Sequence, residues 1–374
     1  MEIGIQYTQL LSIEHICESD MGNIELPVNR AENIPDELFD KINNVGVKII
    51  GIELKLREIL SAGDYKKKDI LIRAVDIAQR CKASYIVIDT EDMDDNCPKE
   101  LENIIISSQT FISQAGMAIY IENGYRYING KHYHNAYSDA GRLLQFIDKL
   151  KELCPEIDCG ICVNIGHANL LGINIRDMIR QCGSYIKLVH VNDNDGYSDQ
   201  HQMPYTFTVG RGYPATDWVH IIGMLYKTGY NGYYIFNNIG TWKRTPQRLH
   251  MAMLKLTKAI GQEWLESCYK TEKYLNQPDK KLILFGAGRM AASYMEAWGD
   301  KYRPDYIVDN NPDKWGEELM GIPMLPPEDI LSLTKDERNV WICNINYDVI
   351  GRQLEDMGVS YRCYCDHYYM DHII

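Results

Sequence analysis

Residues 158–192 decide the fold, because they contain one complete strand–helix–strand unit. Residues 158–164 read DCGICVN, residues 174–182 read NIRDMIRQC, and residues 185–192 read YIKLVHVN. The two outer segments are almost continuously apolar, which is typical of strands buried on both faces of a parallel sheet. The middle segment has helical spacing and begins with Asn174, a favourable N-cap residue. This unit predicts a parallel sheet covered by helices.

The same alternation extends over the first 265 residues. Further apolar segments typical of strands lie at 1–7, 23–28, 45–54, 84–90, 116–122 and 232–237. Segments with helical spacing lie between them, at 35–44, 68–81, 98–114, 138–153, 216–227 and 245–265. Eight strands, each followed by a helix or a loop, predict a (β/α)8 TIM barrel. An open, doubly wound sheet is the alternative.

A second pattern begins after a polar segment at 268–280, which we interpret as a linker. It separates a barrel domain at 1–267 from a small C-terminal α/β domain at 281–374. In that domain the strand LILF (282–285) leads into Gly286-Ala-Gly288, and the next strand ends at Asp309. Glycines at such a turn let a phosphate approach, and the acid binds ribose hydroxyls. The pattern predicts a Rossmann-like domain that binds NAD or another nucleotide, with a docking role as the alternative.

Composition and charge exclude several classes of function. The chain has 374 residues, with 39 Lys and Arg against 52 Asp and Glu, for a net charge of −13. Such an acidic chain is a poor binder of nucleic-acid backbones. No apolar run approaches the ~18 residues that a membrane span needs. The N-terminal residues MEIG show no secretory pattern, so we expect a cytoplasmic protein. The 11 cysteines lack paired C-x2-C spacing, which favours free thiols over a zinc module.

Several polar residues follow the later barrel strands. Parallel barrels carry their reactive groups at the carboxyl ends of the strands. The residues at or just after those ends are Glu122, Asn164, His167, His190, Asp199, His201 and Asn237. Imidazole and carboxylate ligands suit Zn, Mn, Fe or Co. The simpler alternatives are a pairing of Glu122 with Arg126, a core role for His190, and a loop-ordering role for Asp199 and His201.

This set of residues resembles the xylose-isomerase-like barrel superfamily, over roughly residues 1–265. The resemblance rests on the segments Ile165-Gly-His-Ala-Asn169, Val189-His-Val-Asn-Asp193, Asp199-Gln-His201 and 229–237. The superfamily contains sugar and sugar-phosphate isomerases and epimerases, inositol-pathway enzymes and metal-dependent apurinic endonucleases. The resemblance therefore implies a divalent metal, Zn or Mn, and a sugar or sugar phosphate as the small-molecule partner.

The resemblance also implies two metal positions. The first is typically held by Glu, Asp, His and Glu, which correspond here to Glu122, Asn164, His190 and Asn237. Two of these four are amides in this chain, and an amide cannot act as a general acid or base. The resemblance leaves Glu122 and His190 as the catalytic candidates at this position, with Asn164 and Asn237 as candidates for binding a substrate hydroxyl.

The second metal position is the one that some members of the superfamily carry in addition to the first. It corresponds here to His167, Asp199 and His201, and all three residues keep side chains that can bind a metal. Three protein ligands and a water molecule are a normal shell for a catalytic metal.

Three functions remain open at this stage. The first is a metal-dependent sugar or polyol isomerase or epimerase with an altered proton relay. The second is a sugar-binding or regulatory protein without turnover on the same barrel. The third is a metal-dependent phosphodiesterase, against which stand the acidic charge and the absence of the histidines expected on strands three and four. The oligomeric state is also open, and a homo-oligomer is compatible with the sequence.

Overall fold

The computed structural model describes residues 1–28, 36–62, 64–93, 97–209, 213–214 and 216–364. The chain divides into two compact units, one formed by Met1–Ile221 with Thr228–Glu263 and the other by Ile222–Lys227 with Trp264–Ile374. The segment predicted as a linker, 268–280, includes the last turns of a helix that runs from His250 to Leu275. No helix in the described part of the chain is long and apolar enough to cross a membrane.

The first unit is a closed barrel of eight parallel strands, which confirms the prediction. The strands are β1 (Glu2–Gln6), β2 (Asn23–Val28), β3 (Lys48–Lys55), β4 (Tyr85–Asp89), β5 (Ala118–Glu122), β6 (Cys159–Asn164), β7 (Ile186–Val191) and β8 (Tyr233–Phe236). Their order around the barrel is β1-β8-β7-β6-β5-β4-β3-β2, and each neighbouring pair is parallel. The open-sheet alternative is wrong, because β1 pairs with β8 and leaves no free edge.

Helices and short hairpins connect the barrel strands. The helices are α1 (Ile13–Glu18), α2 (Asp36–Asn44), α3 (Leu56–Leu60), α4 (Asp64–Cys81), α5 (Cys97–Gln114), α6 (Ala140–Leu153), α7 (Ile165–Leu170), α8 (Ile175–Cys182), α9 (Trp218–Lys227), α10 (Ile239–Arg244) and α11 (His250–Leu275). Asn174 caps α8 as predicted, because its side chain accepts a hydrogen bond from the Asp177 N–H. A hairpin of Arg126–Ile128 and Lys131–Tyr133 follows β5.

The second unit contains a six-stranded sheet. Its strands are β9 (Lys281–Phe285), β10 (Tyr306–Val308), β11 (Glu318–Leu319), β12 (Ile322–Leu325), β13 (Arg338–Ile342) and β14 (Tyr361–Cys363). The order is β11-β12-β10-β9-β13-β14, and the short β11 runs antiparallel to β12 while the other pairs are parallel. Helices α12 (Arg289–Trp298) and α13 (Tyr347–Asp356) belong to this unit. The sheet is therefore mixed rather than all parallel, and the Rossmann-like assignment stays a prediction.

Candidate functional site

A buried imidazole lies between two carboxylates inside the barrel. His190 Nδ1 is 2.7 Å from Glu122 Oε1, and His190 Nε2 is 2.9 Å from Glu25 Oε1. All three side chains are at most 1 % exposed. Burial opposes a charge on the imidazole, but Cys162, Glu25 and Glu122 together raise the pKa of His190 well above its usual range. The pairing that the sequence allowed between Glu122 and Arg126 is not formed, because Glu122 binds His190 instead.

Asn164 places its nitrogen, not its oxygen, next to Glu122. Its Nδ2 donates to Glu122 Oε1 at 2.8 Å. Its Oδ1 accepts from the His167 N–H at 3.1 Å and from Asn192 Nδ2 at 3.0 Å. The first of these bonds caps the first turn of α7. Both amide atoms of Asn164 are therefore engaged inside the protein, and neither is available as a metal ligand.

The first of the two metal positions is thus closed by hydrogen bonds. Glu122 Oε1 is shared by the Asn164 amide and the His190 ring, while Asn237 Oδ1 lies 3.1 Å from His201 Nδ1. A cation held by the ligand set that the resemblance implies would take an oxygen from each of the two amides, and both oxygens already accept hydrogen bonds. The residues present do not fit the metal that the resemblance implies there.

Two further acids, Glu53 near the end of β3 and Asp89 at the end of β4, extend this network. Glu53, Asp89 and Glu122 each place one oxygen within 4.8 Å of the others, and all three are buried. Desolvation together with the charges on Asp89, Glu122 and Glu25 raises the pKa of Glu53 to about 8. Lys55 Nζ lies 3.3 Å from Asp89 Oδ2 and 2.8 Å from Glu91 Oε2. The lysine therefore neutralises part of this acidic cluster.

The second metal position has the geometry of a ligand set. His201 Nε2 is 3.0 Å from Asp199 Oδ2, and His167 Nε2 is 3.9 Å from the same oxygen. The other ring nitrogens are held by backbone carbonyls, since His167 Nδ1 donates to Asn123 O at 2.8 Å and His201 Nδ1 donates to Asn237 O at 2.9 Å. Metal-binding histidines are characteristically fixed in this way, with Nδ1–H bonded to a carbonyl and Nε2 left for the metal.

Opposite charges lie close together at this second position. Burial disfavours both charges, but the contact with Asp199 raises the pKa of His201 to about 9. Burial likewise raises the pKa of Asp199, yet His201, His167 and the Tyr125 hydroxyl bring it well below its usual range. The Oδ1 atom of Asp199 is buried without a hydrogen-bond partner among the described residues. Two imidazoles and this carboxylate fit a divalent cation such as Zn²⁺.

Two glycines allow the chain to bring these ligands together. A Cβ atom on Gly166, in the first turn of α7, would lie 1.8 Å from Asn192 Oδ1. A Cβ atom on Gly240, in the first turn of α10, would lie 1.8 Å from Gln200 O in the loop between Asp199 and His201. Because the first turns of α7 and α10 pack this closely against the segment that follows β7, both positions require glycine.

Backbone hydrogen bonds fix the loop that carries Asp199 and His201, both at its base and against the first turn of α10. Asp193 and Gln202 exchange two backbone hydrogen bonds of 2.8 and 2.9 Å, and the Gly240 N–H donates to His201 O at 2.9 Å. His201 has a φ of +45°, a left-handed conformation that is uncommon for a non-glycine residue. Strained backbone of this kind persists where the surroundings over-determine it, and it is concentrated at functional sites.

The residues predicted from the sequence separate into two groups in the structure. Glu122, Asn164 and His190 form the buried network, whereas His167, Asp199 and His201 lie together as a candidate ligand set, with Asn237 in contact with His201. Sequence reasoning missed Glu25 and Tyr125. The signal for Glu25 was an acid inside the otherwise apolar strand 23–28, but no sequence signal linked Tyr125 to Asp199, which lies 74 residues away.

In the second unit, the acid predicted to bind ribose is hydrogen-bonded to the predicted phosphate turn and to a lysine of its own loop. Asp309 Oδ2 accepts from the Ala287 N–H at 2.8 Å and from Lys314 Nζ at 2.9 Å. Ala287 lies between Gly286 and Gly288, the two glycines of the predicted phosphate turn. The carboxylate thus stabilises the turn itself, and nucleotide binding stays a prediction without support from this geometry.

Comparison with protein families identifies the barrel. The model of the xylose isomerase-like TIM barrel family matches residues 24–260. The chain belongs to this family. A comparison with curated protein sequences finds no match. The xylose isomerase-like barrel is thus shown by the family match and by the eight closed strands, while the six-stranded sheet of the second unit lies outside the matched residues.

Solved structures with the same fold include several sugar epimerases. An L-ribulose 3-epimerase is 16 % identical, with a TM-score of 0.56 over 75 % of this chain and 100 % of the other. A D-psicose 3-epimerase solved with D-fructose is 14 % identical, with a TM-score of 0.55 over 71 % and 99 %. A 3-keto-D-glucoside 4-epimerase from E. coli is 15 % identical, with a TM-score of 0.54 over 69 % and 99 %. At these identities the likeness establishes the shared fold.

Proposed function

We propose that this barrel acts on a small sugar or polyol as a metal-dependent isomerase or epimerase, and that His167, Asp199 and His201 hold its metal. The observation that carries the proposal is the arrangement of the two imidazoles. Each has its Nδ1 bonded to a backbone carbonyl and its Nε2 turned toward Asp199. The substrate class is supported by the family and by the sugar epimerases that share the fold.

A divalent cation at this position would polarise a carbonyl or hydroxyl oxygen of the sugar. Zn²⁺ and Mn²⁺ both accept two imidazoles and a carboxylate. The side chains around it contribute by holding the ligands in place, because His201 is fixed by Asn237 and His167 by Asn123. These contacts orient both rings before any ligand arrives, so binding needs little rearrangement of the protein.

Proton transfer falls to Glu122 in this proposal. Two carboxylates serve this purpose in the related isomerases, but Asn237 cannot exchange a proton. Glu122 Oε1 is held by His190 and Asn164, whereas Oε2 is buried with no hydrogen-bond partner among the described residues. We therefore assign Oε2 as the proton acceptor and His190 as the group that stabilises the carboxylate.

The two amides would bind substrate hydroxyl groups. Asn164 uses both amide atoms within the protein, so a hydroxyl that contacts it must replace one of those bonds. Asn237 lies beside the His201 ring, with its Oδ1 3.1 Å from His201 Nδ1. It would hydrogen-bond a hydroxyl of a sugar that is bound near the cation.

Sugar binding without turnover is the second candidate, and the closed network favours it. Two of the three acidic positions that the resemblance implies, Asn164 and Asn237, are amides in this chain, and Glu122 and His190 are hydrogen-bonded to each other. A barrel that has lost these proton-transferring acids could still recognise a sugar through its metal and its amides.

Hydrogen exchange at carbon distinguishes the two candidates. The protein is loaded with Zn²⁺ or Mn²⁺ and incubated in D₂O with a panel of aldoses, ketoses and their phosphates, and NMR follows deuterium incorporation and new isomers. Turnover that disappears in the His167→Ala/His201→Ala variant supports the enzyme. A thermal shift with a sugar but no exchange supports the binding protein, and neither effect with any sugar contradicts both.

A further inference from the structure

A buried tyrosine hydroxyl links two carboxylates beside the proposed metal ligands. Tyr125 OH lies 3.0 Å from Asp199 Oδ2 and 2.9 Å from Glu91 Oε1. The ring is 3 % exposed and packs edge-on against His167, with 5.0 Å between ring centroids and an interplanar angle of 88°. This packing fixes the ring, so the hydroxyl cannot leave the two carboxylates without a local rearrangement.

We propose that Tyr125 is a positioning residue for the metal site, and that Lys55 supports it by neutralising Glu91. The inference rests on the proposed metal position at His167, Asp199 and His201. It adds two residues, from the segment after β5 and from the end of β3, to the groups that determine metal affinity.

The separate roles of Tyr125 and Lys55 follow from the single proton on the Tyr125 hydroxyl. Tyr125 can donate to only one carboxylate at a time, although both lie within hydrogen-bond distance. Lys55 Nζ lies 2.8 Å from Glu91 Oε2, on the oxygen that Tyr125 does not contact. Because the ammonium group compensates the charge of Glu91, the hydroxyl proton is available to Asp199.

The hydrogen bond also fixes the orientation of the Asp199 carboxylate. Tyr125 contacts Oδ2, the oxygen that lies 3.0 Å from His201 Nε2 and 3.9 Å from His167 Nε2. Partners that orient a ligating carboxylate in this way commonly contribute 10- to 100-fold to metal affinity. Removal of the Tyr125 hydroxyl should therefore weaken Zn²⁺ binding by about that factor.

The test compares two tyrosines of the same segment. Tyr125→Phe removes the buried hydroxyl, and Tyr127→Phe is the matched control, because Tyr127 is 52 % exposed on the adjoining hairpin. Zn²⁺ affinity of the full chain is measured against a competing chelator, and the Co²⁺ absorption spectrum reports ligand geometry. We expect Tyr125→Phe to bind Zn²⁺ about 10- to 100-fold more weakly and to change the Co²⁺ spectrum, while Tyr127→Phe matches the wild type.

Lys55→Met provides a second route that leaves the tyrosine in place. It should also weaken Zn²⁺ binding, and the Lys55→Met/Tyr125→Phe double variant should bind no more weakly than Tyr125→Phe alone, since Lys55 acts through Tyr125. Additive losses of Zn²⁺ affinity in the double variant would contradict the proposal that Lys55 acts through Tyr125. Wild-type Zn²⁺ affinity and an unchanged Co²⁺ spectrum in Tyr125→Phe would overturn the whole proposal.

The His167→Ala/His201→Ala variant separates this inference from the metal site itself. If the wild type binds Zn²⁺ and this double variant does not, the metal site stands whatever Tyr125 does. If the double variant binds Zn²⁺ as tightly as the wild type, both the proposed site and the role of Tyr125 are wrong.

Discussion

Zn²⁺ binding should release about one proton from His201 near neutral pH. The pKa of His201 is raised to about 9 without a metal, because Asp199 lies 3.0 Å from its Nε2. At pH 7.5 a group with this pKa is ~97 % protonated, and Nε2 must lose its proton to bind the cation. Asp199 contributes no proton, because its pKa lies well below its usual range.

The direction of the pH dependence follows from the competition between protons and the metal for His201 Nε2. A raised pKa means that protons compete with the metal throughout the range below about 9. The apparent Zn²⁺ affinity should therefore rise about tenfold per pH unit between pH 6 and 8 and level off above 9. At pH 7.5 the competition weakens apparent binding by ~2 kcal/mol relative to the plateau.

Calorimetric titration in buffers of different ionisation enthalpy measures the proton count directly. Free Zn²⁺ is held constant by a competing chelator, and His201→Ala serves as the comparison. We expect about one proton per Zn²⁺ from His201 at pH 7.5. A wild-type affinity that is independent of pH, with no proton released, would refute the assignment of His201 as a ligand.

Three substitutions test other parts of the structure. Glu53→Gln should stabilise the metal-free protein above pH 8 but not below pH 5, since a pKa of about 8 in the folded protein against an ordinary 4.5 means that stability is lost as the pH rises from about 4.5 to about 8. The effect of the substitution in urea unfolding should differ between the two pH values by roughly 2 to 4 kcal/mol. Asn164→Asp places a second buried carboxylate against Glu122, so it should cost about 1–3 kcal/mol in urea unfolding, and added Mn²⁺ should restore the loss. Gly240→Ala brings a methyl group against Gln200 O, and it should lower Zn²⁺ affinity while costing about 1–3 kcal/mol in thermal unfolding.

The barrel could be predicted from the sequence because the pattern of each strand and helix is contained in a short segment of the chain. The strands carry buried apolar residues, such as those of Tyr85–Asp89, and the connections carry helical spacing or a turn. The strand ends then place Glu122 and His190 at the same end of the barrel. The grouping of His167, Asp199 and His201 was predicted by resemblance, and the structure brings their side chains together.

The hydrogen-bond network could not be predicted from the sequence, because it depends on how the side chains are oriented and not only on which residues are present. Asn164 was expected near Glu122, but only the structure shows that its nitrogen faces the carboxylate. Glu25 reaches His190 across the barrel interior, a contact between distant strands that spacing along the chain does not encode. Likewise, the predicted role of Asp309 did not account for its bond to the Ala287 N–H.

Metal content is the most direct test of the central claim. The protein is purified without a chelator and without a histidine tag, and bound metals are quantified by mass spectrometry beside the His167→Ala/His201→Ala variant. We expect close to one equivalent of Zn or Mn in the wild type and almost none in the variant. No bound metal in the wild type after incubation with Zn²⁺ and Mn²⁺, or equal metal in both proteins, would contradict the proposed site.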